Sequence, residues 1–225
     1  MYGVYPEYGE RSTDSRALVA RSLGWMVTGL LITLAAALGV TATLSFWLPF
    51  YRGFGPWLLL LGEMALVWYL TARLRAGALE PAAARGLFLL YAASLGLLLA
   101  PALLAAPGAV VPAALVSAGM FGAAALWGAT TPADLRPWGT FLFMALIGLM
   151  LAMLVNALLV HGAMGFWISL GGALLFSGLT AYDLQRIRRF APLGEDGAIL
   201  GALSLYLDFI NLFLFVLTLW SGRRR

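Results

Sequence analysis

The chain has 225 residues, 62% of them hydrophobic and 11% charged, with a mean hydropathy of +0.92. These proportions lie outside those of soluble domains and point to an integral membrane protein. There is no cysteine and, because all fourteen cationic side chains are arginine, no lysine; disulfides, thiolate metal sites, a Walker-type phosphate loop and a Schiff-base lysine are excluded.

Apolar runs of helix-spanning length predict an all-α, polytopic seven-transmembrane bundle and not a β-barrel. Residues 1–20 are polar and read as a cytoplasmic tail without a signal peptide. Residues 21–225 read as a single seven-helix transmembrane domain. The first span is expected over Leu23–Leu48, with Gly29, Thr33, Ala37 and Thr41 on one face suited to close helix packing. Residues 49–56, rich in breakers and aromatics, read as a turn. The second span, about Trp57–Leu74, contains Glu63 and ends in Arg73 and Arg75.

The third span runs from Arg85 to about Leu104, and the short link 105–108 makes it an antiparallel neighbour of the fourth, about Val111–Trp127. A polar turn, 128–138, precedes the fifth, about Thr140–Val160, where Gly148, Ala152 and Asn156 form a second small face. After the link 161–165, with His161 at the interface, the sixth span covers Phe166–Ile187 and ends in Arg186, Arg188 and Arg189. The seventh covers about Ile199–Trp220 and is followed by Arg223–Arg225.

Ten arginines fall on the side of the N-terminus and four on the other, so the N-terminus is expected in the cytoplasm. The terminal arginine triplet is the dissenting feature. The net charge of +4 is explained by this topology signal and implies no nucleic acid.

Charged side chains at membrane depth cost at least ~2.5 to 3.5 kcal/mol each and usually face a bundle interior or a water-filled cavity. Glu63, Asp183 and Asp208 are therefore the candidate functional groups. On the seventh span Gly201, Ser204, Asp208 and Asn211 share one face, a polar seam on an otherwise apolar helix. Asp183 and Asp208 lie on consecutive antiparallel helices; should they approach, they would titrate as a coupled pair. Sharing a proton would hold the helices together, and losing it would create repulsion or demand a cation. Arg73 and Arg75 reach the same cytoplasmic level, and Asp183 pairing with Arg186 is the plainer reading of that acid. Glu63 reads as a residue of the outer cavity or as half of a structural pair.

Gly119–Gly122, Trp127–Leu135, Trp138–Gly148, Tyr182–Ile187 and Ala202–Phe213 resemble the stretches of the Bax inhibitor-1 (transmembrane Bax-inhibitor-motif) family, over residues 20–220. The resemblance implies seven spans with the last one central, in a bacterial-type inner membrane, and a pH-sensitive passive calcium leak. It makes Asp183 and Asp208 the pH sensors and weak, transient calcium ligands, with Arg73 as a latch on the first. Glu63, Ser204 and Asn211 would line the ion pathway. Some bacterial members pair the outer acid with a base late in span seven, where this chain has the uncharged Thr218. Calcium enters as the transported ion and lipid as the surroundings; no cofactor is implied and protein partners stay open. Carboxylates, hydroxyls and amide oxygens suit a weak hard-cation site better than a tight one.

Three other readings compete: a proton-coupled cation carrier, an intramembrane aspartyl protease and a non-conducting adaptor. Tyr182–Asp183 fits the protease pattern, but Asp208 lacks a preceding Gly-x-Gly, and Pro101–Leu103 precedes both aspartates instead of following them. The chain is thus expected not to be an enzyme.

Overall fold

The computed structural model describes residues 8–160 and 164–222, all helix and short connections with no strand. The helices are α1 (Tyr8–Ala42), α2 (Leu44–Arg52), α3 (Gly55–Arg75), α4 (Pro81–Ala105), α5 (Pro107–Thr130), α6 (Trp138–Val155), α7 (Gly165–Ile187) and α8 (Gly194–Gly222). Six continuous helical stretches among these residues are long and apolar enough to cross a membrane. The sixth, residues 165–222, is far longer than a ~30 Å hydrocarbon core requires at ~1.5 Å per residue. It contains two crossings, α7 and α8, joined by the 3-10 turn Arg188–Leu193. That turn holds Pro192 and closes on Gly194 at φ +55°, a left-handed conformation that glycine adopts without cost. The molecule is therefore the expected seven-helix membrane bundle. His161 and Arg223–Arg225 lie outside the described residues.

Two compact units organise the chain, residues 1–100 with 187–203, and residues 101–186 with 204–225. In the first, α1 buries Leu18, Ser22, Met26, Thr33, Ala37 and Val40, a three- and four-residue stripe. The Thr33 hydroxyl reaches the Ala92 carbonyl of α4 at 2.8 Å, and a methyl group at Gly96 would come within 2.5 Å of the Thr33 carbonyl oxygen. The expected small face thus does bring two helices together. Gly201 serves the same end lower down, where a methyl would lie 2.5 Å from Ser22 Oγ.

Three boundaries differ from expectation. The polar stretch 8–20 is already helical, because α1 continues out of its apolar part. The first crossing ends at Ala42, short of Leu48, and residues 44–52 form a separate helix with no buried residue. The aromatics Phe46, Trp47, Phe50 and Tyr51 made that stretch read first as span and then as turn; such a short aromatic helix suits the membrane interface. It is tied down by the Tyr51 hydroxyl, which donates to the Leu97 carbonyl at 2.6 Å.

In the second unit α5 buries Ala109, Ala113, Ser117 and Phe121 at four-residue steps, and Phe121 meets Phe209 of α8 edge-on at 5.6 Å. Helix α6 buries only Leu142. On its expected packing face Gly148 is exposed, with open space where a side chain would stand, while Ala152 and Asn156 are half-buried. Asn156, expected to bond between helices, instead accepts the Met164 amide at 3.2 Å and ties the α6–α7 connection. Most of α8 is buried, as expected of the last helix in this bundle.

Candidate functional site

Both aspartates belong to the second unit. Asp183 sits four residues before the end of α7, on the buried stripe with Phe176, Thr180, Leu184 and Ile187, and is 8% exposed. Thr180, one turn earlier, spends its hydroxyl on the Phe176 carbonyl at 2.8 Å. Arg186, three residues after Asp183, places Nη1 3.6 Å from Asp183 Oδ1. The pairing between Asp183 and Arg186 is thus present in the structure.

Asp208 lies on α8 and is 5% exposed. Asp183 and Arg186 are near enough to influence it electrostatically. Its Oδ2 is buried with no hydrogen-bond partner among the described residues. Two buried acids, one of them paired with a guanidinium, thus lie in low-dielectric surroundings. Proximity of like charges in such a medium is unfavourable until a proton or a cation neutralises the surplus.

The other expected residues are placed as follows. Ser204, one turn before Asp208, is half-buried, and Asn211 donates to the Leu207 carbonyl of its own helix at 2.8 Å. Arg73 donates to the Ala78 carbonyl at 2.9 Å, which closes the C-terminal turn of α3. In the first unit Glu63 is 5% exposed, and neither carboxyl oxygen has a hydrogen-bond partner among the described residues. The neighbouring Ser94 hydroxyl is turned to the Leu90 and Tyr91 carbonyls, at 2.9 and 3.0 Å. No group of three or more acidic, histidine or cysteine side chains suited to a resident metal occurs among the described residues. A cavity of about 900 Å³ in the second unit lies at the far end of α8, among Ala102, Ala105, Gly108, Phe166, Leu217 and Thr218. None of its lining is charged among the described residues, and the Thr218 hydroxyl is spent on Leu214 at 2.8 Å.

Sequence reasoning passed over Gln185. Its Oε1 accepts the Leu135 amide at 3.1 Å and its Nε2 donates to the Ala133 carbonyl at 2.9 Å. An amide side chain at the end of an apolar span was the available signal, but its backbone partners carry no side-chain signature.

A family model described as inhibitor of apoptosis-promoting Bax1 matches residues 15–225. An uncharacterized protein of Deinococcus radiodurans is 40% identical over 223 residues, 92% of this chain and 91% of that protein. The inner membrane protein YbhL of Escherichia coli is 38% identical over 221 residues, 92% of each chain. A Rickettsia prowazekii protein is 32% identical over 217 residues, 93% of this chain and 91% of its own. These matches take in the helices that carry Glu63, Asp183 and Asp208, and on that breadth the chain belongs to the Bax inhibitor-1 family.

Proposed function

We propose that this protein is a pH-sensitive passive calcium leak of a bacterial inner membrane, with its N-terminus in the cytoplasm. The observation that carries the reading is the imbalance at Asp183 and Asp208: two buried carboxylates, one guanidinium, and one carboxyl oxygen without a partner. A shared proton satisfies that oxygen and removes the repulsion between α7 and α8. Without the proton, a passing divalent cation does the same work. The donor set is too small to hold a dehydrated calcium ion, which favours passage over storage. The buried Glu63 carboxyl is a further acidic group that attracts cations when ionised. The arginines at the ends of α3 and α7 support the orientation, and the name of the Escherichia coli relative supports the compartment.

The test is calcium-dye flux in proteoliposomes across pH. Wild-type protein is expected to conduct with a pH-dependent rate, and Asp183→Asn and Asp208→Asn to lose that dependence. Equal flux at every pH in all three proteins would sink the reading. Arg73→Ala, at the latch position that the resemblance implies, is the companion variant: lost pH dependence assigns the latch to Arg73, and an unchanged profile leaves Arg186 as the counter-charge.

A further inference from the structure

We propose that Gln185 is a positioning residue for Asp183: with Gly128 and Gly139 it clamps the back of α7 to the α5–α6 connection, fixing the rotation at which Asp183 and Arg186 are presented. The inference rests on Asp183 being a gating residue of the proposed leak and is carried by the contacts that hold α7.

At about 100° per residue, Gln185 points ~160° away from Asp183, and Ala181 lies on the Gln185 side. Three contacts hold that side. A methyl group at Gly128 would overlap the Ala181 carbonyl oxygen, so α5 and α7 meet backbone to backbone there. Next to it, a methyl group at Gly139 would come within 2.6 Å of the Tyr182 phenol oxygen. Gln185 completes the set, its amide bonded to both Leu135 and Ala133. The connection is itself braced. The Ala133 amide reaches Thr131 Oγ1 at 3.3 Å, the Arg136 amide reaches Asp134 Oδ1 at 3.0 Å, and the Leu135 side chain is buried.

An amide that uses both its donor and its acceptor on backbone fixes direction as well as distance. Rotating α7 by even one residue's worth of turn would break both bonds and move Asp183 off the α8 side. The charged groups around Asp183 are few. Arg186 lies on its own helix, Asp208 on α8, and Arg188 and Arg189 follow in the linker. Asp134 and Arg136 on the clamped connection pair with each other at the surface at 3.6 Å. Gln185 carries no charge, so any effect it has on the titration of Asp183 acts through position.

The experiment compares wild type with Gln185→Met, which keeps the length and removes both hydrogen bonds, in lipid nanodiscs. A second variant, with two glycines inserted between Asp134 and Leu135, loosens the clamp without altering α7. Hydrogen exchange over residues 131–138 reads the clamp. The infrared carboxyl band lost in Asp183→Asn reads the titration of Asp183 directly. Exchange at the Leu135 amide is expected to rise on the order of tenfold in Gln185→Met. The Asp183 midpoint is expected to move by about half a pH unit, a threefold change in the proton equilibrium, in both variants. Unchanged exchange in Gln185→Met overturns the clamp. Faster exchange with Asp183 midpoints that coincide with wild type overturns the positioning role. If wild-type proteoliposomes pass no calcium at any pH, the leak reading fails, whereas the infrared midpoints still decide the role of Gln185.

Discussion

Two of the three acids on helix α8, Glu195 and Asp208, are treated in opposite ways. Glu195, in its first turn, takes two nitrogens of Arg85 at 2.9 and 3.1 Å, with Arg21 at 4.0 Å, and Arg85 also lies 5.7 Å from the centre of the Trp25 ring. An acid at a helix N-terminus is favoured by the macrodipole as well. Asp208, thirteen residues on, is buried and leaves one oxygen without a hydrogen-bond partner among the described residues. Glu195 has two guanidiniums within 4.0 Å, whereas Asp208 keeps a buried oxygen with no hydrogen-bond partner among the described residues. Where α8 is anchored, charge is over-supplied and half-exposed. At Asp208, where the proposed switch sits, the carboxyl is almost fully buried.

The largest effect that would test this contrast is at Asp208. Asp208→Asn removes the unbalanced charge and keeps the shape, so pH dependence of flux is expected to vanish while thermal stability in detergent stays level or rises by about 1 to 3 kcal/mol. A variant that loses stability and keeps the pH response would erase the distinction between the two ends of α8. Next comes Arg186→Gln, which removes the guanidinium 3.6 Å from Asp183. With Asp183 mostly buried and Arg186 about one-third exposed, a loss of roughly 1 to 3 kcal/mol is expected. The loss should shrink at acid pH, where protonation removes the repulsion. Glu63→Gln should lower calcium flux several-fold and leave the pH midpoint where it is, because Glu63 is an acid of the other compact unit. A shifted midpoint in that variant would tie Glu63 into the switch.

The crossings were legible because lipid demands about twenty apolar residues per helix, a signal that dominates local detail. The same signal carried the first span over Leu44–Leu48, where interfacial aromatics are as apolar as a span but helix α1 has already ended at Ala42. Small residues at four-residue spacing predicted close packing on both α1 and α6. It holds at Thr33 and Ala37, which have a partner helix, and fails at Gly148, which has none. Asp183 and Arg186 could be paired from their spacing, since three residues place them on one helix face. Gln185 could not, because what it binds is backbone 50 and 52 residues away. Burial of Asp208 Oδ2 depends on neighbouring helices and left no trace in its flanking residues.

The smallest effect belongs to the over-supplied end. Glu195 is 26% exposed and Arg85 44%, so solvent screens their attraction and Glu195→Gln should cost about 0.2 to 1 kcal/mol, less in high salt. The glutamine keeps an oxygen for Arg85, and Arg85 keeps its place over Trp25. Flux and its pH profile should not change. The measurement that matters is the ratio of the two α8 variants in the same detergent. Loss of pH response at position 208 with none at 195, and a salt-dependent stability change at 195 with none at 208, would separate an anchoring acid from a switching one on a single helix. If Glu195→Gln also shifted the pH profile, α8 would have to move as a whole, and its anchored end would be part of the gate.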